Sequence, residues 1–254
     1  MNEKPLVLYT NHYINREITT AFASGINAET CHISKHTNYN QTIASYGYLR
    51  GVGEAYKKSK NFWYIDHGYF KSSKRTVSNN RVFLNSFDGY FRIVFNNFWH
   101  IGVGNCSGDR FKKLNISFKK KNNKGEYIIL SEPTLDAINY YKLENWTEKT
   151  ISLIKNYSDR KIIIHNKFSK MPLENLLKNA WAFVSEHSNA GLLAMISGVP
   201  AFYTNKYLNK LGNIKNIENG FINYEIFNNL AYGQWTLNEM RNGEAWNFLK
   251  QNIL

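Results

Sequence analysis

The chain reads as an α/β protein built on a parallel sheet, and three observations carry that expectation. Beyond residue 125, short apolar or β-branched runs alternate four times with stretches of helical pattern. Each of those runs ends in polar residues rather than in a two-residue hairpin turn. The 254 residues include 43% hydrophobic and 15% aromatic side chains, enough to bury a core.

The elements follow in order. "PLVLYT" (5–10) predicts a first strand, 15–24 a polar helix, and "ETCHIS" (29–34) a second strand. "TIASYGYLRGVGEAYKKSK" (42–60) has apolar and aromatic positions at helical spacing, interrupted by Gly47, Gly51 and Gly53. "NFWYIDHGYF" (61–70) predicts a buried strand that runs into an Asp-His-Gly turn. "RVFLNSFDGYFRIVFNNFW" (81–99) alternates well enough for strands or a hairpin around Asp88-Gly89.

The basic segment "KKKNNKGE" (119–126) marks the expected boundary. After it, "YIILSEP" (127–133), "KIIIHNK" (161–167), "WAFVS" (181–185) and "VPAFYT" (199–204) read as strands. "ENWTEKTISLIKNYS" (144–158), "PLENLLKNA" (172–180) and "NAGLLAMIS" (189–197) read as the helices between and beside them. The expected domains are 1–122, 123–225 and a helical tail, 226–254, whose two tryptophans pack on the body.

Composition removes several classes. No apolar run is long enough to span a membrane, and the N-terminal residues lack a signal-peptide pattern. Two cysteines, Cys31 and Cys106, are too few for a disulfide scaffold, so a reduced, cytoplasmic protein is expected. Net charge is +13. Two readings fit it: a polyanionic partner, or a Lys- and Asn-rich composition inherited from an AT-rich genome. No G-x-x-x-x-G-K-[ST], H-E-x-x-H, D-x-D or G-x-S-x-G occurs, so P-loop, zincin and serine-hydrolase chemistry find no motif, and no metal site is expected.

In parallel sheets ligands gather outside the C-terminal strand ends. The polar groups there are Ser131-Glu132, His165-Asn166-Lys167 and Glu186-His187-Ser188-Asn189. A Ser/Asn helix start followed by Gly191 leaves N–H groups for an anion, and Lys167 could meet the same anion, so a phosphate or diphosphate site is one reading. Helix capping by Ser188 and Asn189, with His187 satisfying a loop carbonyl, is the other. In the first half, Asp66-His67 at a strand end is the best general-base candidate, against a plain turn Asp. Asp88 and Asp109 offer less, since "FDG" is good turn chemistry.

"VSEHSNAGLLAMISGVPAF" (184–202) resembles the donor-binding segment of GT-B-type glycosyltransferases: strand, polar turn, small-residue helix, Gly-Val-Pro, strand. More loosely, "GDRFKKL", "LSEP" and "LAYGQWTLNEMRNGEAW" are similar to uncharacterised tailed-phage proteins. The resemblance implies two Rossmann-like domains facing each other across a cleft, the first reduced, with C-terminal helices packing back on the body. It implies a nucleotide-sugar as co-substrate, UDP-sugar foremost, and no other cofactor. Ser131, Lys167, Glu186, His187, Ser188, Asn189 and Gly191 would hold the donor. The retaining E-x(7)-E signature is missing, with Ala194 eight residues after Glu186, so the resemblance leans to a metal-independent inverting enzyme with Asp66, beside His67, as base. The favoured acceptor is a hydroxymethylated base in phage DNA, met in the host cytoplasm, with Lys71, Lys74, Arg75, Lys112 and Lys113 tracking phosphates. A surface polysaccharide is the alternative acceptor, and a non-catalytic nucleotide- or DNA-binding module the alternative class.

Overall fold

The computed structural model describes residues 4–73, 75–78, 81–84, 86–99, 104 and 106–253, excepting the side chains of residues 75, 77, 78, 81 and 82. Its strands are β1 (Leu6–Tyr9), β2 (Thr30–His32), β3 (Thr42–Tyr46), β4 (Asn61–His67), β5 (Arg75–Ser78), β6 (Arg81–Leu84) and β7 (Tyr90–Phe95). These are followed by β8 (Tyr127–Ser131), β9 (Lys161–His165), β10 (Ala180–Ser185), β11 (Ala201–Tyr203) and β12 (Gln234–Thr236). The chain divides into two compact units, 1–114 with 226–254, and 115–225.

The first unit holds a six-stranded sheet in the order β12-β7-β4-β3-β1-β2. β2, β1, β3 and β4 are parallel, while β7 runs antiparallel on β4 and β12 antiparallel on β7. Because successive strand residues face opposite sides, β4 sends Trp63 and Ile65 into one layer and Tyr64 into the other. The Trp63 layer packs beneath the helices Tyr13–Ile26, Leu237–Arg241 and Glu244–Asn252, through Ile18, Phe22, Met240 and Trp246. The Tyr64 layer packs beneath the helix Val52–Lys58, through Val52, Ala55 and Tyr56.

Residues 42–60, read above as one helical pattern, divide into β3 and a helix that starts only at Val52. Ile43 and Ala44 are fully buried between β1 and β4, and pairing on both edges outweighs the helical spacing. Gly47 (φ 71°) and Gly51 (φ 87°) adopt the left-handed turns that separate the two elements. Of the strands or hairpin expected over 81–99, strands form on either side of Asp88-Gly89 but do not pair with each other. β6 pairs with β5, and Gly89 lies so close to the Ser72–Ser73 backbone that a Cβ would overlap it.

The tail is not purely helical, since Gln234–Thr236 forms the edge strand β12. Arg110 holds this segment in place. Its Nη1 pairs with Glu239 at 2.7 Å, its Nε and Nη2 donate to the carbonyls of Ala231 and Gln234, and its guanidinium lies 4.2 Å from the Trp235 ring centre. Thr236 then opens the next helix with a reciprocal capping box to Glu239. The C-terminal helices thus pack back on the first unit as expected. The reduction expected of the first domain does not fall there, because the smaller of the two main sheets belongs to the second unit.

That second sheet has the order β11-β10-β8-β9 and is parallel throughout. Ile128, Leu130, Ala182 and Val184 meet Trp146 and Ile154 of the helix Trp146–Lys155. Ile129 and Phe183, which alternate with them, are also fully buried. Burial on both faces explains why these strands read as continuous apolar runs. The helix Leu135–Tyr141, capped by Thr134, was not expected from the sequence.

A Cβ at Gly25 would overlap the Met240 carbonyl oxygen, where the first helix meets the C-terminal ones. Gly25→Ala therefore forces those elements apart, at a cost of about 1–3 kcal/mol. We expect a thermal midpoint lower by about 2–10 °C. An unchanged melting curve would contradict this packing.

Candidate functional site

The register of the second sheet aligns the last residues of its four strands. Ser131 pairs with both His165 and Ser185, and Ser185 pairs with Tyr203. All three polar strand ends singled out above therefore share one edge, joined by Thr204 and Asn205 after β11. The ladder continues one step past the strands, with Thr204 N–H donating to the Ser185 carbonyl (3.1 Å) and Asn205 N–H to that of Glu186 (3.2 Å).

Two carboxylates lie along this edge. Glu132 accepts from Thr147 Oγ1 (3.0 Å) and Asn166 Nδ2 (3.3 Å), while its backbone N–H donates to the His165 carbonyl. Glu186 is buried, accepts from Asn205 Nδ2 (2.8 Å), and contacts His187 Nδ1 through its other oxygen. The Tyr141 ring stands edge-on to His187, with centroids 4.7 Å apart. Ser131 is half-buried at the end of β8, and Lys167 is exposed two residues past β9. Glu132 and Asn166 stand at the strand ends expected to face a ligand but were not assigned to the donor, and Asn205 and Tyr141 were not among the expected site residues. The "TN" pair that follows "VPAFY" was the available signal for Asn205.

At the helix start Ser188 takes the capping role that was the alternative to an anion site, and Asn189 does not share it. The helix Ala190–Ile196 is short, and Asn189 makes no side-chain cap. Ala190 N–H donates to Ser188 Oγ, Gly191 N–H to the Ser188 carbonyl and Leu192 N–H to the Asn189 carbonyl. Ser188 N–H is held by Ser185 Oγ. The first-turn donors expected to receive an anion are thus engaged within the turn. Gly191 has a packing reason of its own, since a Cβ there would overlap the hydroxyl of buried Tyr203.

In the first unit Asp66 and His67 are neighbours on β4, so their side chains point to opposite faces of the sheet. His67 Nε2 contacts the Tyr46 hydroxyl at 2.9 Å. Asp66 accepts from the Tyr64 hydroxyl (2.5 Å) and from Arg92 Nη2 (3.1 Å) through one oxygen, and from His67 N–H through the other. Burial pushes the Asp66 carboxyl up, but Arg92, His67 and the Tyr64 hydroxyl outweigh it and hold it below the usual carboxylate range. A base role for Asp66 would therefore use a carboxylate weakened by its own ion pair. Lys71, Lys112 and Lys113 are exposed, the last two on the helix Asp109–Lys113. Lys74 and the Arg75 side chain lie outside the described residues. Among the described residues no group of three or more His, Cys, Asp or Glu side chains is placed to hold a metal ion. No described helix is long and apolar enough to cross a membrane.

No protein-family model matches the chain, and no curated protein matches it. Solved structures do. One is Thermosulfurimonas dismutans KpsC, a beta Kdo 2,4 transferase, similar over 92% of this chain and 93% of that one with a TM-score of 0.53. Identity is 9%, so the likeness is one of fold. The chain is a mixed α/β protein, with one wholly parallel sheet and one mixed sheet, and its fold is similar to that of this solved transferase.

The Asp66–Arg92 pair gives a signed prediction. The folded pKa of Asp66 is depressed, so the pair's contribution is present above the unfolded value of about 3.9 and is lost as pH falls through the folded one. Breaking such a buried pair costs about 3–5 kcal/mol. We expect Asp66→Asn to lower the thermal midpoint at pH 7, with the gap to wild type narrowing as pH falls below about 4. A gap independent of pH would refute the assignment.

Proposed function

We propose that this chain is a glycosyltransferase, moving a sugar from a nucleotide-sugar donor to a hydroxyl acceptor, with the C-terminal edge of the second sheet as donor site. One observation carries the reading beyond the fold. Glu132 and Glu186 are engaged by hydroxyl, amide and imidazole groups, and neither forms an ion pair with a lysine or arginine among the described contacts. Carboxylates held by such partners keep their acceptor character, which suits a ligand rich in hydroxyls, a ribose or a sugar. Lys167, exposed at the same edge, supplies positive charge for the phosphates in place of the occupied helix N–H groups. Ser131, Ser188 and Asn189 border this floor.

In the reaction proposed, an acceptor oxygen attacks the anomeric carbon as the bond to the nucleotide's phosphate oxygen breaks. The hydroxyl proton passes to a base, and the electron pair leaves with the nucleotide. Inversion and independence from metal are part of the proposal. The neighbouring fold, a Kdo transferase, favours a saccharide acceptor. A hydroxymethylated base in phage DNA remains the second reading, motivated by the net charge of +13 and by exposed Lys71, Lys112 and Lys113.

The test is thermal shift with UDP, GDP, ADP, dTDP and CMP, with and without divalent metal. A single nucleotide, UDP foremost, should raise the midpoint, by about 5–10 °C near a hundredfold excess over its dissociation constant. Lys167→Ala should weaken that shift and Lys113→Ala should not. No response to any nucleotide at millimolar concentration would end the donor-site reading. Mass spectrometry with the matching sugar donor, using oligosaccharides in one arm and hydroxymethylated DNA in the other, then separates the acceptors.

A further inference from the structure

The strands of the second sheet all start at the edge opposite the candidate donor site, and residues 119–125 run along that edge. The Lys119 and Asn122 N–H groups donate to the carbonyls of Ile196 and Gly198, both at 2.9 Å. Asn122 Nδ2 reaches the carbonyl of Lys178, just before β10, at 3.1 Å. A Cβ at Gly198 (φ 83°) would overlap the Lys120 carbonyl oxygen, so glycine there admits the segment. Lys121 Nζ donates to the Gly220 carbonyl (2.6 Å), which ties residues 220–224 to the same edge.

This edge gathers Lys119, Lys120, Lys124, Lys161 and Lys178, all exposed, against exposed Glu126 and Asp159. Arg160, beside them, is turned inward onto Glu218 and the Trp181 ring. Crossover helices end here too, and lysines near their C-termini offset the helix dipoles. That accounts for some of the charge but not for Phe221, which follows Gly220 and is 73% exposed. Exposed Tyr224 is braced by Phe118, with ring centres 4.6 Å apart, so the loop that carries Phe221 is anchored at both ends.

We propose that this edge docks on an anionic membrane surface, with the lysines meeting lipid headgroups and Phe221 entering the boundary between headgroups and acyl chains. Two features favour a bilayer over a nucleic acid. The outward charges are lysines, point charges suited to a fluid array of headgroups, whereas the arginine able to read phosphate geometry is engaged internally. Phe221 is an apolar side chain in water, and the acyl boundary is where such a group gains most. Docking leaves the opposite strand ends, roughly 15 Å away along five-residue strands, open to a ligand. The proposal does not depend on the donor-site reading.

The experiment is co-sedimentation of the full chain with phosphatidylcholine vesicles, with and without phosphatidylglycerol, at low ionic strength. Wild type should bind the anionic vesicles and not the neutral ones. Lys119→Gln/Lys120→Gln/Lys124→Gln should weaken that binding about a hundredfold, roughly fivefold for each lysine. Lys71→Gln/Lys112→Gln/Lys113→Gln, which removes exposed lysines of the first unit, should bind as wild type does. Phe221→Ser should weaken binding several-fold while leaving the thermal midpoint unchanged, since the side chain it removes is exposed. Failure to sediment with anionic vesicles overturns the proposal, and so does an equal loss in the two triple variants. A Phe221→Ser protein that binds vesicles like wild type also overturns it, and duplex DNA held by the same three lysines would then mark a nucleic-acid surface.

Discussion

Parallel pairing of four strands in a single register is the constraint on which the second unit depends. Strands that all run one way must be re-entered by crossovers, so the chain leaves every strand at the same edge. In β8 and β10 apolar residues fill both faces, which leaves polar side chains the strand ends. With Ser131, His165, Ser185 and Tyr203 in line, the residues that follow them are neighbours by necessity. A one-residue slip of β10 would turn Ala182 and Val184 out of the core and dismantle the Glu186–Asn205 contact with them.

Carboxylates in this protein are satisfied in two ways. In the first, Asp66 is matched by Arg92 and Glu239 by Arg110, with aromatic rings beside each guanidinium. Those pairs neutralise themselves and tie strands or helices together. In the second, Glu132 and Glu186 are satisfied by hydroxyl, amide and imidazole groups. The structural pairs have nothing left to offer a ligand, whereas the amide-bound carboxylates keep lone pairs in place.

Much of the second unit was legible because its strands are continuous apolar runs that end abruptly in polar residues, with β8 and β10 buried on both faces. That pattern located all four strands and brought Ser131, Lys167, Glu186 and His187 to one edge. The two readings of the helix start, anion site or cap, stayed open because composition does not reveal where N–H groups go. Ser185, a strand residue, and Ser188 absorb them, and Gly191 answers to Tyr203 rather than to a ligand. In the first unit, β3 was hidden by glycines at helical spacing, since its strand character comes from neighbours on both sides. β12 was hidden within a helical tail, because what makes it a strand is the free edge of β7. Asn205 was missed for a similar reason: it follows a strand end, but its partner is nineteen residues away along the chain and one strand away in space.

The basic surface can be divided by the same accounting. In "GDRFKKL" (108–114), Phe111 is buried, Arg110 turns inward onto Trp235 and Glu239, and Lys112 and Lys113 face solvent. Part of what reads as a charge cluster is therefore a structural clamp, and the remainder is the solvated face of a short helix. In the second unit, Arg160 likewise lies 3.8 Å from the Trp181 ring centre and pairs with Glu218. Arginines spent on internal carboxylates and indoles add to the formal net charge without adding to a surface that follows phosphates. A polyanionic acceptor would then be met by exposed lysines, whose ammonium groups attract without reading geometry. The edge of the second sheet differs in kind, since Glu132 and Glu186 are held there by directional hydrogen bonds from hydroxyl and amide groups.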